Sequence, residues 1–95
     1  YVEAMPDLQV LIPPFSQQDA VEALYRLRIA PLLDGVRGDL PLDVNAFCQA
    51  AVAVGCLMVD EKLGINQLDI NPIMVGSLGQ GCTALDAVIY RKEIE

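Results

Sequence analysis

Apolar residues recur along this chain with two different periods, and the places where the period switches divide it into elements. Val2 and Ala4, then Leu8, Val10 and Ile12, alternate with polar neighbours on either side of the turn signal Pro6-Asp7. This predicts a small hairpin of Tyr1 to Met5 and Leu8 to Ile12. Pro13-Pro14 closes it. Ser16 then stands where a helix cap belongs, with Asp19 at the capping-box position and Phe15 placed to staple onto Ala20. The spacing predicts a helix over Gln17 to Ile29 that packs through Ala20, Ala23, Leu24 and Leu27. Pro31 interrupts it, because proline lacks an N–H and drives Ala30 out of helical geometry. Leu32-Leu33-Asp34 fit one further turn, and Gly35-Val36-Arg37-Gly38 reads as a tight loop with Gly35 as the helix stop.

A second helix is predicted from Asp43, a carboxylate cap, to Gly64, with Leu42 stapling to Phe47. Phe47, Ala50, Ala51, Val54, Leu57 and Met58 form its core stripe, and Gly55 in mid-helix signals close packing, since glycine there otherwise costs roughly 1 kcal/mol relative to alanine. Ile65 to Val75 and Cys82 to Tyr90 are rich in branched residues and flank the turn cluster Gly76 to Gly81, so they read as two strands. The order is ββααββ. It predicts an α+β fold with a mostly antiparallel sheet of about four strands and both main helices on one face.

At 95 residues the chain supports a single domain. An apolar fraction of 54% and a mean hydropathy of +0.40 are high for so small a core, which points to apolar surface facing another domain or a second copy. The longest apolar run, Ala50 to Val59, is about half of the roughly 20 residues a bilayer-spanning helix needs, so no membrane span is expected. The chain opens on Tyr1-Val2 without an initiator methionine or a leader pattern, and is read as a piece cut from a longer polypeptide. Acidic residues outnumber basic ones 13 to 6, and the six cations form no aromatic-interleaved patch. Nucleic acid and anionic lipid are excluded as partners on that ground. Cys48, Cys56 and Cys82 are odd in number, lack CxxC spacing and sit in apolar segments, which predicts reduced, buried thiols in a cytoplasmic protein. Histidine is absent, removing the commonest general base and zinc ligand from this stretch.

Candidate chemistry gathers in the last two strands. A period of two places Gln67, Asp69 and Asn71 on one face of the first and Ala84, Asp86 and Val88 on one face of the second. If Gly76 pairs with Gly81, Asn71 falls directly across from Asp86, with Cβ atoms roughly 4.5 to 5.5 Å apart. Such hard oxygen ligands suit Mg2+, which accepts one or two carboxylates and leaves other positions to phosphate and water. Spacing alone fits the solvent side of a half-covered sheet at least as well. Pro72 suits either reading, since it belongs at an edge or a bulge.

Leu68-Asp69-Ile70-Asn71-Pro72, followed after the turn by Leu85-Asp86-Ala87, resembles the end of the ATP-grasp domain of NDP-forming acyl-CoA synthetases, and succinyl-CoA synthetase β chains look related at the same hairpin. Upstream, Pro31-Leu32-Leu33-Asp34-Gly35-Val36-Arg37-Gly38 is similar to the family's leucine pair and Gly-x-Arg-Gly loop. Asp43 opens the next helix where the family has it, Asp7 through Ala20 aligns without gaps, and Tyr1-Val2-Glu3 matches a strand ending in Glu. The resemblance covers essentially the whole chain, as a single fragment from the C-terminal part of that domain.

The resemblance implies that Asn71 and Asp86 hold the Mg2+ bridging the phosphates of ATP or ADP, or of GTP or GDP, with Asp69 as an acidic neighbour. The reaction implied is acyl-CoA, nucleoside diphosphate and phosphate exchanging with free acid, CoA and nucleoside triphosphate. CoA-binding and remaining ATP-grasp domains of the same enzyme are the implied partners, and the fragment alone is expected to be inactive. Arg37 could clamp a phosphate or carboxylate, or else cap helix carbonyls or pair with Asp34 or Asp39. Glu3 could face nucleotide or metal, or be an exposed strand charge. The chain departs from the family at Gln67, usually Glu, at Leu11, often Arg, and at Val88, commonly Arg. Two rival readings are a noncatalytic interaction module that forms a homo-oligomer through Val44 to Val59, and a carboxylate-amine ligase of the same architecture.

Overall fold

Residues 6–93 are described by a computed structural model, so Tyr1 to Met5, with the first expected strand and Glu3, lie outside the described residues. Helix α1 spans Gln17–Tyr25 and opens with the expected capping box. The Asp19 N–H donates to Ser16 Oγ at 3.0 Å, and the Ser16 N–H donates to Asp19 Oδ2 at 3.1 Å. The helix stops four residues before Ile29. The Asp7 carboxylate accepts the N–H groups of Arg28 at 2.8 Å and Ile29 at 3.1 Å, taking the donors that another helical turn would use. Backbone bonds from Arg26 to Ala23, Leu27 to Leu24 and Ala30 to Leu27 tighten the chain into short turns instead. They lead into a 3-10 helix, Ala30–Asp34, which is the further turn expected after Pro31, and Gly35 ends it at φ 95°.

Among the described residues nothing pairs with the backbone of residues 8–12, which form no strand there, and the expected partner of that hairpin, Tyr1 to Met5, lies outside the described residues. Leu8, Val10 and Ile12 are 58%, 77% and 84% exposed.

Helix α2 spans Val44–Val59 and is capped by Asp43, whose Oδ1 accepts the Ala46 N–H at 3.2 Å. It ends five residues before Gly64, because the Asp60 carboxylate turns back on the Lys62 N–H at 3.0 Å and competes with the helix for the backbone. Cys48 is fully buried, and desolvation pushes its thiol pKa up. Gly55 is buried as well: a Cβ there would lie 3.2 Å from Phe15 Cε2 and 3.3 Å from Pro13 Cβ, the close packing its position suggests. Cys56 is exposed and Cys82 half-buried, so burial holds for only one of the three thiols.

The two C-terminal strands are each broken once, giving β1 (Ile65–Ile70), β2 (Ile73–Val75), β3 (Cys82–Ala84) and β4 (Ala87–Arg91). β1 pairs antiparallel with β4 and β2 with β3, forming two small ladders in place of one sheet. Pro72 causes the break on one strand, since it has no N–H to give the ladder. The register nonetheless runs straight through: Asp69 opposes Val88, Ile70 opposes Ala87, Ile73 opposes Ala84, and the Gly76 N–H donates to the Gly81 carbonyl at 2.8 Å.

α1 packs on α2, and α2 packs on β1 and β2, so the chain is α+β with helices layered over small antiparallel ladders. α2 is the helix seated on the hairpin, and α1 packs against α2. Ala20, Ala23, Leu33 and Cys48 are the buried apolar residues among those described. Beside them an open apolar groove of about 690 Å³ runs between the 7–15 segment and the helices, lined by Leu11, Phe15, Leu24, Phe47, Val54 and Ile70 among others. Among the described residues no helix is long and apolar enough to cross a membrane.

Candidate functional site

The hairpin turns one row of side chains toward α2 and the other away from it. Leu68 and Ile70 on β1 are half-buried while Gln67 and Asp69 are exposed, the alternation that a strand covered on one side imposes. Asn71 and Asp86 sit at the break, where the Asn71 N–H donates to the Asp86 carbonyl at 3.0 Å and the Leu85 N–H to the Pro72 carbonyl at 3.0 Å. Freed from the regular ladder, the two side chains meet Asp69 around a hollow of about 220 Å³, whose lining is completed by Ala87 and Val88.

The hollow offers two carboxylates and one amide oxygen. Neither carboxylate has an ion-pair partner among the described residues, so the local field is negative and uncompensated. No group of three or more His, Cys, Asp or Glu side chains comes together as a metal cage among the described residues. The donor set suits a hard cation that takes its remaining ligands from phosphate and water, and it does not suit an all-protein zinc or calcium site. Asp69 is further engaged from its own strand: the Gln67 side-chain amide donates to Asp69 Oδ2 at 2.9 Å.

A second carboxylate fixes the hairpin relative to the helices. Asp43, 7% exposed, uses Oδ1 to cap α2 and Oδ2 to accept the N–H groups of Gly79 at 3.2 Å and Gly81 at 2.8 Å. Its own N–H donates to the Gly76 carbonyl at 2.8 Å, and Leu42 bridges to Ser77. The hairpin tip is thereby locked to the N-terminus of α2. The sequence marked Asp43 as a cap; its grip on a turn 36 and 38 residues away had no local signal.

Arg37 occupies a left-handed position, φ 55°, beside Gly38 at φ 84°. Its guanidinium is exposed and makes no hydrogen bond or ion pair among the described residues, so the expected alternatives of capping carbonyls or pairing with Asp34 or Asp39 are not what the structure contains. Asp34 instead accepts the Tyr25 hydroxyl at 3.2 Å. Arg37 is not part of the lining of the Asn71 and Asp86 hollow.

Comparison with known proteins agrees with this architecture. Residues 1–90 match the ATP-grasp domain family. The β subunit of the ADP-forming acetate–CoA ligase II of Pyrococcus furiosus is 33% identical over 92 residues, which is 97% of this chain and 39% of that subunit. The ADP-forming 4-hydroxybutyrate–CoA ligase of Nitrosopumilus maritimus is 33% identical over 89 residues, 94% of this chain and 13% of its own length. Among solved structures, ACD1 of Candidatus Korarchaeum cryptofilum in complex with coenzyme A superposes with a TM-score of 0.81 at 30% identity, covering 96% of this chain and 39% of that one. A structure of the acetyl-coenzyme A synthetase 1 from the same organism, in complex with coenzyme A and Mg-AMPPCP, gives a TM-score of 0.77 at 29% identity over 86% of this chain and 37% of that one. The chain belongs to the ATP-grasp family. Its curated relatives are ADP-forming acyl-CoA ligases, and it spans about two fifths or less of their length.

Proposed function

We propose that this chain is the C-terminal subdomain of the ATP-grasp domain in an NDP-forming acyl-CoA synthetase, and that its hairpin supplies one wall of the Mg-nucleotide site. The observation that carries the reading is the convergence of Asp69, Asn71 and Asp86 on one hollow, opposite the helix-covered face of the hairpin. Asn71 and Asp86 are the residues that would hold Mg2+, and the donor set fits that ion. When bound, Mg2+ supplies charge neutralisation to the nucleotide phosphates during phosphoryl transfer. The protein's share is positioning: the Asn71-to-Asp86 backbone bond keeps the two side chains facing one another, and Asp43 holds the whole hairpin at a fixed angle to α2. Arg37, without a partner among the described residues, is available to an anionic group of a substrate. The overall reaction is acyl-CoA, nucleoside diphosphate and phosphate exchanging with acid, CoA and nucleoside triphosphate. The remaining ATP-grasp and CoA-binding domains are its partners, so the 95-residue chain alone is inactive and binds Mg-ATP weakly.

The test uses the complete protein that carries this segment. Nucleoside triphosphate formation from acyl-CoA, ADP or GDP and phosphate is expected to require Mg2+ and to disappear in Asp86→Asn and Asn71→Ala. Unchanged turnover in Asp86→Asn returns the hairpin to an ordinary solvent face, and saturable micromolar binding of Mg-ATP to the isolated chain by calorimetry contradicts the assignment of a partial site.

A further inference from the structure

Gln67 stands two residues before Asp69 on β1, and the strand period brings both side chains to the face that bears the hollow. Immediately before it the β1 to β4 register shifts: Ile65 opposes Arg91, but Gln67 already opposes Tyr90, so Asn66 is an extra residue on its strand. A bulge of this kind bends its strand and re-aims the next side chain. Here the re-aimed side chain donates to Asp69 Oδ2 at 2.9 Å. Asp69 is exposed and lies across from Val88, which has no polar group to steady it. Without Gln67 its carboxylate would turn freely, and any cation would have to fix it on binding.

The geometry points to Gln67 as a positioning residue for the candidate cation site: its amide holds Oδ2 of Asp69 and leaves Oδ1 as the oxygen that the carboxylate offers the hollow. This inference rests on the Mg2+ reading of the hairpin. It also gives the departure at this position a chemical meaning. A glutamate carboxylate in place of Gln67 has no N–H to donate and would repel Asp69, whereas the glutamine amide orients the carboxylate and adds no charge. A ligand's hydrogen-bonding neighbour of this type commonly tunes metal affinity through orientation alone.

The experiment is a Mn2+ titration of the complete protein that carries this segment, 15N-labelled within the segment, followed by paramagnetic broadening of backbone amide signals, with Mn2+ alone as the probe and no turnover needed. In the unaltered protein the signals of Asp69, Asn71, Asp86 and Ala87 are expected to broaden first. Gln67→Met keeps about the length of the side chain and removes its amide, donor and acceptor together. It should raise the Mn2+ concentration for half-maximal broadening about tenfold, the modest end of losses seen when a ligand's hydrogen-bonding support is removed. In the metal-free protein, Asp69→Ala should shift the Gln67 side-chain NH2 signals toward those of a free amide, which checks the hydrogen bond itself, while the Mn2+ titration of Gln67→Met reads its effect on the cation. If Gln67→Met keeps a native spectrum and an unchanged Mn2+ titration while Asp86→Asn weakens it, the Gln67 role is overturned and the hairpin reading stands. If Mn2+ broadens no hairpin signal in the unaltered complete protein, both fall together.

Discussion

The backbone N–H of Asn71 donates to the carbonyl oxygen of Asp86 at 3.0 Å, at the point where both strands of the hairpin are broken. Pairing at the candidate site is thus made by the main chain. The side chains can be altered without undoing it.

Asp86→Asn should therefore leave the fold intact while removing a charge from the hollow. A shift within about 0.5 kcal/mol is expected for an exposed substitution of this kind, measured as a denaturation midpoint with an unchanged slope. A large loss of stability would mean that the carboxylate itself supports the fold.

Asp43 is the opposite case, a carboxylate whose two oxygens both serve as buried acceptors. Asp43→Ala removes a helix cap, worth about 0.5 to 2 kcal/mol. It also strands the N–H groups of Gly79 and Gly81, so a total loss of about 2 to 4 kcal/mol is expected. Asp43→Asn should rescue little of this, because one of its oxygens becomes an NH2 that faces donors. Full rescue by asparagine in urea melts would show that the hairpin tip is held by other contacts.

At Gly55 the size of the added side chain decides the sign. A methyl group meets Phe15 and Pro13 at 3.2 and 3.3 Å, so the strain of Gly55→Ala offsets its gain in helix propensity and stability stays within about 1 kcal/mol of the original. Gly55→Val overfills the contact and should cost about 1 to 3 kcal/mol. Thermal melts of the two variants side by side distinguish this packing role from a simple helix-propensity effect, under which both would be stabilising.

Asp7 gives the fold an acid-sensitive joint. Hydrogen bonding from the Arg28 backbone N–H, helped by that of Ile29 and by the Arg28 charge, holds its pKa below the usual carboxylate range against an opposing desolvation effect. A carboxylate lowered on folding contributes stability above its unfolded pKa, near 4, and loses that contribution as pH falls through its lowered folded value. Asp7→Asn should be less stable than the original at neutral pH. The two should converge as the pH drops below about 4, read from denaturation midpoints across an acid series. A constant gap down to low pH would show that the carboxylate charge contributes nothing.

Much of the hairpin was legible from the residues alone. Alternation along Gln67, Asp69 and Asn71, with the glycines at 76 and 81, defined a register that the structure reproduces, because strand geometry allows only two faces and the turn selects one pairing. The same is true of the capping box at Ser16 and of the start of α2 at Asp43, where a local donor and acceptor determine the conformation. Helix ends were less legible. α1 lost its last turn to Asp7, ten residues upstream of its first residue, and no window centred on the helix contains that competitor.

The sequence by itself determined the α+β order, the caps, the hairpin register and the residues able to meet at its break, because each depends on neighbours in the chain or on a two-residue period. Tertiary structure alone decided that Asp43 locks the hairpin tip to α2, that Arg37 has no partner among the described residues, and that Gln67 holds Asp69. Those contacts depend on where a side chain points after the layers pack and the strand bulges, and sequence spacing carries no record of either.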